Sequence, residues 1–348
     1  MEKLYDKSLP ELQKIMAGFG DPPFRAKQMR EWLDRGAPDF SVIKNMPAPL
    51  LQKLAESFQT LHVRDHGVIH SADGETSKFL FLLDDGEKVE SVLMRSTYGN
   101  SVCVSSQAGC AMGCKFCAST IGGFRRNLTA DEMFAEVLRC QWELRQGSGT
   151  AANGDKKQND VSHVVIMGVG EPLLNFDNAI NFIKMLHDRL KIGYRRITLS
   201  TCGIVPGIRR LKEFGQPVNL AVSLHAPGDG LRRSIMPVAE KYLIAEILDA
   251  GFEFSALHNR QLMIEYLLLG GINDSPEHAE ALANLLKGRL AMVNLIPWNA
   301  VAESSFRAPS GNAAHRFLDE LVRRGIHARI RKERGADIGS ACGQLRAI

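Results

Sequence analysis

Three regimes of hydrophobic patterning divide this chain. Between residues 8 and 58 apolar positions recur at helical spacing in SLPELQKIM, PFRAKQMREWLDRG and APLLQKLAESF, and a Ser followed by Glu three places on marks the first start, which predicts a small helical module. From about 59 to 95 the period falls to two in LHVRDHGVI, KFLFLL and KVESVLM, broken by ADGE and DDGE, which predicts a strand meander. Beyond Tyr98 and Gly99, apolar runs such as SVCVSS, VSHVVIMG, RRITLST, VNLAVSLH, RQLMIEYLLL, MVNLIPW and IHARIRK alternate with amphipathic stretches such as DEMFAEVLRCQWELR, HAEALANLLKGRL and NAAHRFLDELVRRG. That alternation predicts an α/β parallel barrel or open wound sheet. The expected organisation is a small α+β accessory domain over 1–95 and a larger α/β domain over 96–348. The polar stretch QGSGTAANGDKKQND, residues 146–160, should be a mobile loop between the first helix and second strand of the larger domain.

At 348 residues, 45% hydrophobic and 24% charged, the chain can bury a large core, which excludes a disordered protein. MEKLYDKSLPELQKIM lacks a signal-peptide core, and no apolar run approaches the ~20 residues of a membrane helix, so a cytoplasmic, membrane-free protein is expected. Seven cysteines, an odd number, suit a reducing compartment. The net charge of +4 permits nucleic-acid binding without requiring it.

The sharpest chemistry lies in AGCAMGCKFCAST, where Cys110, Cys114 and Cys117 are spaced C-x-x-x-C-x-x-C. Three thiolates can hold three irons of a 4Fe-4S cluster and leave the fourth free for a small molecule. Structural zinc would want a fourth Cys or His at a second short spacing, and none stands nearby. Polar residues fall at the C-terminal ends of the later strands, where barrels of this kind place their sites. VVIMG runs into GVGEP, with Gly168 and Gly170 allowing close backbone approach and Glu171 offering a carboxylate to a ligand ammonium. Ser200 ends ITLS, Ser223 and His225 close VSLHAP, and Asn299 closes LIPWN; each alone is commonly a turn or cap.

The cysteine motif, with Phe116 before the last Cys, resembles that of the radical S-adenosylmethionine (radical SAM) superfamily, whose fold is a partial (β/α) barrel. VCVSSQAGCAMGCKFC, GFRRNLTADE, GEPLLN, RRITLSTCG, SLHAP, LIPWN and DIGSACGQL together resemble the RlmN family of adenosine-C2 RNA methyltransferases, across nearly the whole chain. Gly339 and Ser340 depart slightly from the family's tail without removing a reactive group. The resemblance implies a 4Fe-4S cluster on Cys110, Cys114 and Cys117, and SAM bound by Gly170, Glu171, Ser200, Ser223, Leu224, His225 and Asn299. It also implies a carrier thiol at Cys342, methylated by one SAM; a second SAM yields the adenosyl radical that activates the methyl for addition to the base. Cys103 would then release the product by forming a disulfide with Cys342, and Glu90 would take the proton from carbon 2.

The implied substrates are an adenosine in the peptidyl-transferase centre of 23S rRNA and the adenosine 3′ of the anticodon in tRNA. Carbon-8 relatives carry GEAL and LIRYN where this chain has GEPL and LIPWN, which favours carbon 2. A non-catalytic metal-bearing RNA-binding protein is the reading from another class. An electron donor such as flavodoxin or ferredoxin and a monomeric state are expected, although the sequence itself decides neither. Basic clusters that include Arg125, Arg126, Arg195, Arg196, Arg232, Arg233, Arg329 and Arg331, and Arg25, Lys27 and Arg30 in the helical module, are the expected RNA-contact groups; solvated faces look the same. Cys140 reads as packing, Cys202 carries no evident role, and Phe116 either packs or meets an adenine.

Overall fold

The computed structural model describes residues 1–146 and 160–346, so the stretch expected to be a mobile loop lies, apart from its two ends, outside the described residues. The helical module forms as its pattern predicts. Helix α1 (Leu9–Gly18) starts at Ser8, whose Oγ accepts from the Glu11 amide at 3.4 Å while Glu11 Oε2 accepts from the Ser8 amide at 2.7 Å, a reciprocal cap. Helices α2 (Arg25–Asp34) and α3 (Ala48–Ser57) turn Met29, Leu33, Leu50 and Leu54 inward against Leu12 and Met16. Short strands β1 (Glu2–Lys3) and β2 (Phe58–Gln59) pair in parallel and tie the ends of the module together.

The meander is β3 (Arg64–His70), β4 (Thr76–Leu82) and β5 (Lys88–Met94), antiparallel throughout, and β5 pairs onward with β6 (Asn100–Val104). From β6 the sheet becomes parallel through β9 (Val161–Ile166), β10 (Ile197–Thr201), β11 (Asn219–Ser223), β12 (Leu262–Leu268), β13 (Ala291–Pro297) and β14 (His327–Ile330). The result is one ten-stranded sheet in which β3 and β14 are the two edges, an open partial barrel with an antiparallel extension. Between β6 and β9 a two-stranded clasp, β7 (Gln107–Gly109) with β8 (Phe124–Asn127), stands apart from this sheet.

Helices α4 (Ala130–Gln146), α5 (Phe176–Leu190), α6 (Val205–Phe214), α7 (Asp229–Ile235), α8 (Ile244–Leu257), α9 (Pro276–Leu286) and α10 (Gly311–Arg323) fill the crossovers. They cover strands whose interiors, such as Val164, Leu199, Leu220, Ile264 and Val293, are wholly buried. Burying each such side chain contributes about 1.5–3 kcal/mol. Helix α4 is buried almost all round because the helical module packs on its outer face. Trp32 and Trp142 rings meet at 6.0 Å, and Tyr5 and Phe134 at 5.6 Å. The approach is closest at Gly36, with φ +84°, where a Cβ would lie 2.1 Å from the Leu138 carbonyl oxygen. No described helix is long and apolar enough to cross a membrane.

Candidate active site

The cysteine loop hangs from the β7–β8 clasp. Gly109 makes this possible: its φ is +72°, and a Cβ there would sit 1.8 Å from the Gly123 oxygen. The loop is then pinned to the barrel rim, by the Lys115 amide donating to Ile235 at 3.0 Å, and by Trp298 Nε1 donating to the Phe116 carbonyl at 3.1 Å. Phe116 is buried, edge-on to His225 with ring centroids 5.0 Å apart. His225 adopts φ +59°, a left-handed backbone costly for this residue, held by its own carbonyl accepting from Asn273 Nδ2 at 2.8 Å. Its Nδ1 accepts from the Leu267 amide at 3.0 Å, so the ring carries its proton on Nε2. Burial, with the Arg232 charge nearby, pushes the imidazole pKa down to about 3 and keeps it neutral.

A cavity of about 940 Å³ opens at the strand ends, lined by Cys110, Cys114, Cys117, Phe116, Gly170, Glu171, Ser200, Ser223, His225, Glu265, Arg331 and Cys342, among others. A second cavity of about 790 Å³ shares Cys117, Arg331 and Cys342 with it and adds Cys103, Val92, Asn299 and Leu345. Cys342 therefore faces both spaces. Burial is the main cause that pushes the Cys103 thiol up to about 12, the proximity of Cys342 adds to it, and the Arg331 guanidinium works against it.

Not every expected residue lines these cavities. Leu224 is a core side chain; its amide donates to the Glu265 carbonyl at 3.1 Å, and its carbonyl accepts from Arg232 Nε at 3.1 Å. Glu171 lines the first cavity, but Oε1 accepts from the Leu173 amide at 3.0 Å and Oε2 from the Cys202 amide at 2.7 Å, which makes it a brace between the ends of β9 and β10 as well. Glu90 borders neither of the two cavities; it faces a third, with Lys78, Gly339 and Arg346. Asn299 reaches the tail, donating from Nδ2 to the Cys342 carbonyl at 3.2 Å. All seven cysteines are free thiols, so no disulfide joins Cys103 to Cys342 in this state.

Arg232, expected among the RNA-contact arginines, is fully buried. Its Nε donates to the Leu224 carbonyl at 3.1 Å, and Nη2 donates to the carbonyls of Cys202 and Ser223, so it staples strand ends behind the cysteine loop. Arg329 stays exposed, although its Nε donates to Asn294 Oδ1 at 2.7 Å. Paired basic residues in sequence carry no sign of which one turns inward. Glu265 and Arg232 were invisible as site residues because Glu in IEYLLL and Arg in LRRS match no motif; an ionisable residue within an apolar strand run was the one available signal for Glu265.

The donor set discriminates between metals. Among the described residues, the one group of three ligating atoms lying within 4.8 Å of one another is Asp6, His62 and Asp131, so the three loop sulfurs are more widely spread. Tetrahedral zinc, at about 2.3 Å from each sulfur, would draw its thiolates to roughly 3.8 Å apart. A polynuclear cluster needs the wider triangle. Burial pushes the Cys110 thiol up to about 11, with the nearby Cys117 and Glu171 adding to it, and burial pushes Cys114 higher still. Two buried thiols, each disfavoured further by the neighbouring Cys117, suit a cation whose binding displaces their protons.

An open parallel barrel carrying a three-cysteine loop beside a cavity at the strand ends defines a radical SAM enzyme. The Radical SAM superfamily matches residues 104–286, and the Ribosomal RNA large subunit methyltransferase N-terminal domain matches residues 3–59. The probable dual-specificity RNA methyltransferase RlmN of Symbiobacterium thermophilum is 48% identical over 343 residues, covering 97% of this chain and 90% of the relative. Its counterpart in Clostridium tetani is 44% identical over 99% of this chain and 96% of its own length. The crystal structure of a radical SAM methyltransferase from Sphaerobacter thermophilus matches at TM-score 0.87 and 40% identity, covering 100% of both chains. The chain belongs to the RlmN family of radical SAM RNA methyltransferases.

Proposed function

We propose that this enzyme methylates carbon 2 of adenosine, in the peptidyl-transferase centre of 23S rRNA and 3′ of the anticodon in tRNA, through a methylated Cys342 and with two SAM per turnover. The observation that carries this reading is the position of Cys342 on the wall shared by the larger cavity and the cavity containing Cys103. Cys110, Cys114 and Cys117 would hold a 4Fe-4S cluster, and the first cavity would hold SAM. When bound, this pair supplies one-electron cleavage of the sulfonium, and a further SAM supplies an ordinary methyl group.

The protein's own groups do the rest. Gly170 seats the turn after β9 against β7, where a Cβ would meet Gln107 at 2.6 Å, and so fixes the backbone beside the cavity. Ser200, Ser223 and neutral His225 supply hydroxyl and imidazole contacts at the strand ends, and Asn299 steadies the Cys342 backbone. Cys342 accepts the methyl on sulfur and carries it between the two spaces. Glu90 takes the carbon-2 proton once the tail has moved aside, with Lys78 Nζ 3.2 Å from its Oε1 as partner. Cys103 then displaces the product by forming a disulfide with Cys342, which a reductant must reopen before the next cycle.

Mass spectrometry of adenosines from RNA treated with the anaerobically reconstituted enzyme tests the reading. The expected product is 2-methyladenosine in both RNAs; 8-methyladenosine would overturn the position, and a protein that binds RNA without cleaving SAM would overturn the enzyme.

A further inference from the structure

Glu136, on α4, is fully buried, and its hydrogen bonds run to the two strands that carry the proposed base and the proposed release thiol. Its Oε2 accepts from Ser91 Oγ on β5, and from the Ser105 amide at 3.1 Å, just beyond β6. Ser105 Oγ in turn donates to the Glu90 carbonyl at 2.7 Å and accepts from the Val169 amide at 3.1 Å. One side chain on a helix thus holds the residue after Glu90, the residue two places past Cys103 and, through Ser105, the turn that follows β9.

These bonds stand where the sheet's own pairing ends. The β5–β6 ladder joins Val92, Leu93 and Met94 to Cys103, Val102 and Ser101 and stops short of Glu90. Beyond it, Ser105 Oγ meets the Glu90 carbonyl, and Glu136 anchors Ser105. Neighbouring strand residues point to opposite faces, so Ser91 turns to α4 while Glu90 turns to the cavity it shares with Lys78, Gly339 and Arg346. There the Glu90 carboxylate is held by Lys78 Nζ and by the Arg346 amide, and the second contact leaves with the tail. What then aims the carboxylate is the backbone seat behind it. An apolar side chain could fill the place of Glu136 without burying a polar group, and Oε1 has no partner among the described residues, so the carboxyl is costly as mere packing. Orientation of the two serines is what it adds. Burial favours its neutral acid, which an amide of the same shape imitates.

We propose that Glu136 is a positioning residue: through Ser91 and Ser105 it aligns Glu90 to take the proton from the adenine, and so sets the rate at which product leaves Cys342. This deepens the reading given under Proposed function and rests on its assignment of Glu90.

Single-turnover assays of the full-length, anaerobically reconstituted enzyme, with a 23S rRNA fragment spanning the peptidyl-transferase centre, test it. Three quantities are read: Cys342 methylation by mass spectrometry, protein-RNA adduct on a denaturing gel, and methylated RNA released. Glu136→Leu should load Cys342 as the wild type does, release product about tenfold to a hundredfold more slowly, and accumulate the adduct, as Glu90→Ala does. Ser91→Ala should show the same pattern more weakly, and Glu136→Gln should release near the wild-type rate. Wild-type release by Glu136→Leu without adduct overturns the proposal. So does a loading defect as large as the release defect, which marks a general loss of fold, or a Glu136→Gln no better than Glu136→Leu. If Glu136→Leu does not fold, Ser91→Ala decides by the same outcomes. Glu90→Ala that releases product at the wild-type rate overturns instead the assignment of the base, and this proposal with it.

Discussion

The main-chain amide of Arg346 donates to Glu90 Oε2 at 2.7 Å, which ties the C-terminal segment to β5. The same segment is held elsewhere: Ser119 Oγ donates to the Leu345 carbonyl at 2.7 Å, and the Ala118 amide to the Gly343 carbonyl at 2.7 Å. Leu345 is buried against Val92, Cys110 and Val169. The proposed carrier, Cys342, thus lies in a strap that closes over the proposed base, and on that proposal the strap releases before RNA meets Glu90.

Replacing Arg346 with proline removes the amide donor while leaving Glu90 intact. Hydrogen exchange at the amides of residues 340–345, and at the Ala118 amide that bonds the strap, should quicken in Arg346→Pro. Unchanged protection would mean that the Glu90 contact does not hold the strap.

The two cavity thiols should give different defects. Cys342→Ala has nothing to carry the methyl, so no covalent intermediate should form. Cys103→Ala should load and add but fail to release, leaving RNA joined to protein through Cys342 on a denaturing gel. Turnover of Cys103→Ala at the wild-type rate would sink the disulfide-release step.

The wide spacing of the loop sulfurs leads to a metal prediction. Anaerobically reconstituted wild type should contain about four irons per chain. Cys114→Ala should lose iron and SAM cleavage together, because a three-ligand cluster has no ligand to spare. A stoichiometric zinc protein, or a brown Cys114→Ala with normal SAM cleavage, would contradict it.

Glu136 gives a pH prediction outside the cavities. It is fully buried behind β5, with Oε2 accepting from Ser91 Oγ and from the Ser105 amide at 3.1 Å, and Oε1 unpaired. Burial raises its pKa well above the usual carboxylate range. A raised folded-state pKa means the folded protein holds a proton that the unfolded chain has released. Its contribution is therefore complete below the ordinary carboxylate pKa and is lost as pH rises through the folded value. Glu136→Gln should melt progressively higher relative to wild type as pH goes from 5 to 8; a difference independent of pH would show that the carboxyl is not protonated in the fold.

Much of this was legible from local pattern. Ser8 and Glu11 announced α1, the two-residue period announced β4 and β5, and the cysteine spacing announced the metal loop, because each depends on neighbours within a few residues. Arg232, adjacent in sequence to the exposed Arg233, could not be sorted from it, since burial depends on what the fold lays over each one.

The sequence by itself determined the elements and the presence of three thiols in one loop, and its resemblance to a known family supplied the expected carrier and base. Tertiary structure alone decided their company. It placed Cys342 on the wall between two cavities, used both oxygens of Glu171 for backbone amides, left Oε2 of Glu265 open, and closed the tail over Glu90. The physical reason is that a hydrogen bond or a burial is a property of two segments at once. Sheet pairing and strap closure join segments whose separation along the chain leaves no local trace.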